Sequence, residues 1–404
     1  MRIVVASSFH YRRGGDSSHF LDLIAGLERR GHKVAVFSMH HPQNLPSSWS
    51  QYWAPYVEYR GKLAGAGRLR AGWRSIYSAE SRRQMNRLPE AFAPDVEHFH
   101  SVHHHLTLSA VEACLTARLP VVWTLHDYRT VCPATSLLRR DERCERCAGG
   151  HFWHGAVGRC KSGELPRSLA AVAESYAARM RGTLGAVACY VAPSRFLARK
   201  VVAMGLPARR LEIVPNPVHV EALPIDSIDR RGLLYVGRLS AEKGVGALIE
   251  AVADLDDAPL RVVGDGPEAD RLAALVTRLD AKVVFDGWRD AAEIEASMSA
   301  AELLCVPSIW YENCPGVVLE AMVTGLPIVA SDLGGLSELL DGGKAGWLAP
   351  AGDHRAWCEM IREALTDRAR TAQQAASALE RVRSRHDPEV FIERIEAIYR
   401  SLAQ

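Results

Sequence analysis

Two carboxylates eight positions apart stand in Tyr311-Glu312-Asn313-Cys314-Pro315-Gly316-Val317-Val318-Leu319-Glu320-Ala321-Met322, a run closed by Gly325-Leu326-Pro327. Asn313 suits a helix cap and Pro315 a first turn, the apolar residues from Val317 sustain the helix, and Gly325 with Pro327 stops it. The spacing sets Glu312 in a loop before a helix N-terminus and Glu320 inside the helix. Backbone N–H groups near Gly316 and Val317, helped by the helix dipole, attract an anion such as a diphosphate. Glu320 can accept hydrogen bonds from a hydroxylated group such as ribose, and the whole is a nucleotide-sugar site in outline. Taken alone, a surface glutamate beside a buried helical one would read the same way.

Other residues of the same half strengthen the first reading. Val236-Gly237-Arg238-Leu239-Ser240-Ala241-Glu242-Lys243-Gly244 follows an apolar run and opens a helix, so Arg238 and Lys243 offer a planar fork and a point charge to adjacent phosphates. Val263-Gly264-Asp265-Gly266-Pro267 is another such turn, where glycine lets the backbone approach a ligand. In the first half, Phe9-His10-Tyr11-Arg12-Arg13-Gly14-Gly15-Asp16 follows the first apolar run. His98-Phe99-His100-Ser101-Val102-His103-His104-His105 packs five imidazoles into eight residues, without a standard metal spacing. His126-Asp127 closes the run Val121–Leu125.

These positions need strands to carry them. Ile3–Ala6, Val34–Phe37, Val96–Phe99 and Val121–Leu125 read as buried strands alternating with helices such as 20–30, which predicts a parallel sheet covered on both faces. The grammar restarts at 233–236, 260–263, 283–285, 303–306 and 328–330, five further strands. With 404 residues and 48% hydrophobic content, two domains of roughly 190 residues are expected. They are placed at 1–190, carrying a cysteine-rich insertion at about 130–162, and at 191–388, with the boundary near 190–220 where Val191-Ala192-Pro193-Ser194 and Val214-Pro215-Asn216-Pro217 punctuate the chain. A last helix, 389–404, is expected to pack back across both. Two doubly wound α/β domains would present a cleft bounded by the carboxyl ends of their strands. The formal net charge of +2 argues against a nucleic-acid binder.

Taken in order, Gly237-Arg238-Leu239 with Lys243-Gly244, Gly264-Asp265-Gly266-Pro267, Pro307-Ser308, Glu312 to Glu320, and Gly325-Leu326-Pro327 resemble the retaining glycosyltransferases of family 4. The resemblance implies the GT-B fold, two Rossmann-like domains with a cleft between them. It also implies a hexosyltransferase-type enzyme moving sugar from a nucleotide-diphosphate sugar, UDP- or GDP-linked, to a hydroxyl of a glycan or lipid-linked acceptor, as in bacterial surface polysaccharide synthesis. Arg238 and Lys243 would bind the diphosphate, Glu312 the donor sugar and Glu320 the ribose. Gly264, Asp265, Gly266, Asn313, Pro315, Gly316 and Val317 would line the donor, and Gly14 and Gly15 match the paired glycines that approach it. His100, His126 and Asp127 match positions beside the reacting centre and join Glu312 as the catalytic set. No catalytic metal is implied, consistent with the lack of an Asp-x-Asp motif, and the base would be a phosphate oxygen of the donor. Pro217 stands where many relatives have glycine. A sugar-nucleotide isomerase or phosphorylase, or a non-catalytic nucleotide-sugar-binding subunit, would share the architecture.

Cys132, Cys144, Cys147 and Cys160 form C-x11-C-x2-C-x12-C, which suits either a structural zinc site, with His151 or His154 as substitute ligands, or four free thiols. Residues 61–88 carry Lys62, Arg68, Arg70, Arg74, Arg82, Arg83 and Arg87 against Glu80, interleaved with Leu69, Trp73, Ile76 and Tyr77. That pattern fits a peripheral contact with an anionic bilayer, or a solvated helix packed on the first domain. Met1–Ala6 is too short for a secretory segment and no apolar run spans a membrane, so a cytoplasmic protein, peripheral at the inner membrane face if that contact exists, is expected.

Overall fold

Short aliphatic runs build two parallel sheets in the computed structural model, which describes residues 1–57, 72–219 and 230–403. The first contains β1 (Arg2–Ala6), β2 (Lys33–Phe37), β3 (Val96–Phe99), β4 (Val121–Thr124), β5 (Cys189–Ala192) and β6 (Leu211–Ile213), in the order β2-β1-β3-β4-β5-β6. A parallel bridge from Met39 to Ala54 extends the β2 edge. The second contains β7 (Leu233–Val236), β8 (Leu260–Val263), β9 (Val283–Gly287), β10 (Leu303–Val306), β11 (Ile328–Ser331) and β12 (Trp347–Ala349), in the order β9-β8-β7-β10-β11-β12. Every pairing in both sheets is parallel. Each sheet winds outward one way and then reverses, which makes both Rossmann-like and gives each a switch point: between β1 and β3 in the first, between β7 and β10 in the second.

Alternation along a strand buries both faces. On β7, Leu233 and Tyr235 join one core and Leu234 the other. Six helices border the site loops or fill the first core: α1 (Gly15–Arg29), α2 (Leu165–Met180), α3 (Val245–Ala253), α4 (Gly316–Val323), α5 (Gly335–Leu339) and α6 (Pro388–Leu402).

The chain divides into a unit of Met1–Arg139, Cys144–Asn216 and Pro388–Gln404 and a unit of Arg140–Arg143 and Pro217–Asp387. The main division falls at Asn216, inside the 190–220 stretch but past the bound at residue 190, because β5 and β6 complete the first sheet. Phe391, Ile392, Ile395, Ile398 and Tyr399 of α6 enter the first unit's core beside Ile3, Val5, Leu23 and Leu27. The second sheet has a sixth strand, β12, beyond the five expected.

Lys62, Arg68, Leu69 and Arg70 lie outside the described residues. Of the rest of that segment, Trp73 is 73% exposed, while the helix Ala79–Phe92 buries Ser81, Met85, Leu88 and Phe92. Arg82 donates to the Tyr77 hydroxyl at 2.9 Å and pairs with Glu112 at 3.5 Å. Among the described residues no helix is long and apolar enough to cross a membrane.

Candidate functional site

In the second unit, the turn after β7 carries Arg238 and Lys243 towards α3, and the loop after β10 carries Ser308 and Glu312 towards α4. β7 and β10 are neighbours at the reversal of strand order, so both loops open where ligands of such sheets bind. Lys243 Nζ donates to Glu312 Oε1 at 2.6 Å, and Ser308 Oγ donates to the same oxygen at 2.7 Å. The Glu312 side chain is only 6% exposed and that of Lys243 25%. Burial pushes the Glu312 carboxyl up, but the Lys243 charge and the hydrogen bonds from Lys243 and Ser308 outweigh it and hold the group below its ordinary value. The Lys243 ammonium also lies 5.4 Å from the Trp310 ring centroid.

Arg238 is exposed, on a turn pinned by the Tyr235 hydroxyl, which donates to the Arg238 carbonyl at 2.9 Å. Gly264, Asp265 and Gly266 follow β8. Asp265 is exposed and its carboxylate accepts from the Gly266 N–H at 2.7 Å. Gly264 has φ +135°, and a Cβ there would stand 2.0 Å from the Gly237 carbonyl oxygen, so the β7 and β8 turns pack backbone to backbone. The cap of α4 is Pro315, not Asn313, which is buried two residues upstream; Pro315 supplies the extended ψ of 126° that turns the chain into the helix. No side chain caps α4, so the N–H groups of Gly316 and Val317 are presented at its N-terminus, with Glu320 exposed one turn on.

In the first unit, a cavity of about 270 Å³ lies at the β1/β3 switch point. His100, His126 and Asp127 line it together, with Arg13 and Asp16 beside Gly14 and Gly15 at the start of α1. Glu312, grouped with the histidines on sequence, belongs to the second unit. The rings of His98 and His100 stack at 4.5 Å and those of His100 and His126 at 5.3 Å. His100 Nδ1 and His126 Nε2 are hydrogen-bonded at 3.0 Å. His98 is fixed by the Tyr399 hydroxyl at 2.6 Å and by Thr124 Oγ1 at 2.7 Å. Burial, then the neighbouring imidazoles, holds His100 well below its ordinary value and His98 down at about 3, so both rings are neutral. Burial also lowers His126, against the opposing charges of Asp16 and Asp127.

Sequence reasoning missed several participants. His19 of α1 is buried against His126 and Phe391, and its ring nitrogen lies within 4.8 Å of those of His100 and His126. Its signal was its place one turn beyond Gly15. Arg129, from the loop after β4, pairs with Glu174 of α2, which also takes a bond from His103 at 3.1 Å. Lys161 reaches the same cavity, lowered to about 8 by burial and the Arg129 charge. The segment supplying Thr135 and Lys161 to the cavity also bears Cys132, Cys144, Cys147 and Cys160, all free. In the second unit, the Gly335 N–H of α5 donates to the Glu312 carbonyl at 2.6 Å. Gly334-Gly335 after an aliphatic run was the legible sign.

Two family models match: one described as Glycosyltransferase Family 4 over residues 13–222, and one described as Glycosyl transferases group 1 over residues 230–367. The chain is 33% identical over 218 residues to a phosphatidyl-myo-inositol mannosyltransferase of Mycobacterium leprae, covering 51% of this chain and 58% of that one. It is 28% identical over 404 residues to that of Mycolicibacterium smegmatis, covering 96% and 91%. Over many such matches the aligned part spans about half the length of the curated relatives. Among solved structures, Anabaena HepE in complex with UDP-glucose aligns with a TM-score of 0.68 at 20% identity, covering 99% of each chain. The fold is GT-B, and with more than half its length matched by the first of these models, the chain belongs to glycosyltransferase family 4.

Proposed function

We propose that the protein is a retaining glycosyltransferase that moves a sugar from a nucleotide-diphosphate sugar to a hydroxyl acceptor in bacterial glycan or surface polysaccharide synthesis. The carrying observation is the pair of half-buried Lys243 with buried Glu312 beside the uncapped N-terminus of α4, at the second sheet's switch point. In this reading the exposed Arg238, Lys243 and the N–H groups of Gly316 and Val317 receive the diphosphate, and Glu320 the ribose. Glu312, held ionised, meets the sugar hydroxyls. HepE, solved with UDP-glucose, lends support to a UDP-linked donor, with a GDP-linked one the alternative.

In the first unit's cavity, the neutral rings of His100 and His126, with Asp127, orient the acceptor hydroxyl. A donor phosphate oxygen takes the acceptor proton as the glycosidic bond to phosphate breaks and the new bond forms on the same face. Positive charge and backbone dipoles, rather than a metal, stabilise the departing diphosphate. Relatives named for transfer to phosphatidyl-myo-inositol support a lipid-linked acceptor, and the exposure of Trp73, Arg83 and Arg87 supports contact with an anionic bilayer. Sedimentation with anionic liposomes at low salt tests that contact: binding lost in Trp73→Ala supports it, and no binding refutes it. The isomerase, phosphorylase and non-catalytic readings gain nothing from these relatives.

Titration with UDP, GDP and their sugars, read as a rise in melting temperature, tests the donor site. A shift for one nucleotide, abolished in Arg238→Ala and reduced in Glu320→Ala, is expected. No shift with any nucleotide would overturn the reading.

A further inference from the structure

The stretch joining β4 to α2 has little regular structure of its own. Its backbone turns through left-handed conformations at Thr135 (φ 75°), Leu137 (φ 52°), Arg159 (φ 46°) and Ser162 (φ 56°), none of them glycine. Such a path needs something to hold it. Four free thiols converge there from three places: Cys132 in the loop after β4, Cys144 and Cys147 on a Cys-x2-Cys turn, and Cys160 after the short helix Trp153–Val157. The Cys147 sulfur lies within electrostatic reach of those of Cys132, Cys144 and Cys160, and Cys160 within reach of Cys132 and Cys144. The Cys144 N–H donates to the Leu137 carbonyl at 2.8 Å and the Cys160 N–H to the Gly155 carbonyl at 3.0 Å, which ties the cysteine-bearing turns into one fold of chain. Gly149, at φ +68°, turns the chain two residues after Cys147. Arg139 and Arg146 lie near Cys160 and would offset the two negative charges that four thiolates leave on a divalent ion.

We propose that Cys132, Cys144, Cys147 and Cys160 bind one zinc ion in a closed tetrahedral site, and that this ion fixes Thr135 and Lys161 in the wall of the histidine-lined cavity. Binding exchanges four thiol protons, released to water, for four Zn–S bonds. Among the described residues no three of these sulfurs lie within 4.8 Å of one another, so binding has to draw them together. The site is separate from sugar transfer: it carries no open position for substrate, and its failure would leave the donor reading untouched.

The test is metal analysis of the purified full chain after dialysis against a weak chelator. One zinc per chain is expected, released stoichiometrically when a mercurial titrates the thiols, and replaceable by cobalt with an intense thiolate-to-cobalt charge-transfer band. Cys144→Ser and Cys147→Ser should lose the ion while His19→Asn retains it. Hydrogen exchange across residues 128–162 should rise on zinc removal. Absence of zinc after reconstitution, with freely reacting thiols, would overturn the proposal. So would zinc kept by the cysteine variants and lost by His19→Asn, which would place it on the His19–His100–His126 cluster instead.

Discussion

Glu312 is ionised in a place that would otherwise neutralise it, and Lys243 is the main reason. Replacing Lys243 by Met leaves a buried carboxylate without its counter-charge, which costs about 3–5 kcal/mol where no water replaces the lost partner. Lys243→Met is therefore expected to lower the melting temperature more than Glu312→Gln, with transfer lost in both; equal, small shifts would mean the pair is screened. Since the Glu312 carboxyl is depressed in the folded state, its contribution is present above the ordinary carboxyl range and disappears as pH falls through the folded value. The histidines act earlier. His98 titrates near 3 when folded against about 6.5 when unfolded, so below about pH 6.5 the unfolded chain binds the extra proton. Stability should fall by about 1.4 kcal/mol per pH unit for each fully shifted ring between those values. Denaturant melts between pH 7 and 5 read that slope, and His98→Gln should flatten it; an unchanged slope would mean His98 is not the titrating ring. His100 and His126 were legible because they end predicted strands. His19 was not, because a histidine within an amphipathic helix reads as surface until the fold turns it against its neighbours.

Most strands of four or five residues were legible almost to the residue, since a doubly covered parallel sheet demands such short apolar runs, but β5 and β6 of the first sheet were not expected. β12 was not, being three residues, Trp347-Leu348-Ala349, with no periodicity to distinguish them. The first domain's end at residue 190 fell short for a related reason: β5 runs straight into Pro193-Ser194, which punctuates like a linker although Ser194 caps the next helix, while the division lies at the second punctuation, Pro215-Asn216-Pro217. The site loops were legible in part. Arg238, Lys243 and Glu312 follow strands, whereas the element that locks Glu312, the start of α5, contributes only backbone. A Cβ on Gly335 would stand 1.9 Å from the Asn313 carbonyl oxygen, so Gly335→Ala must push the β10 and β11 loops apart. Overpacking of that kind costs about 1–3 kcal/mol. The expected result is a folded protein with weakened nucleotide binding. Wild-type affinity in Gly335→Ala would show that α5 does not set the loop.

The order of the chain and the order of its cores differ: after the second unit is complete, α6 returns to fill the first. Phe391, Ile392, Ile395 and Ile398 are all nearly inaccessible, and burying four such side chains stabilises by roughly 6–12 kcal/mol. That is comparable to the whole stability of an ordinary domain. Buried Glu396 adds bonds to Arg30 at 3.2 Å and His32 at 2.7 Å, and Tyr399 holds His98, so the helix also reaches the floor of the histidine stack. Neither core of the second unit contains a residue of α6. Ending the chain at Asp387 should therefore open the first unit selectively. Hydrogen exchange would rise across β1, β3 and α1 and stay protected across β7 to β12, while nucleotide still raises the melting temperature of what remains. Protection retained in β1 and β3 would mean that the first sheet is stable without its last helix. Equal loss in both sheets would mean that the units fold only together, and the helix would then be a determinant of the whole chain rather than of its first half.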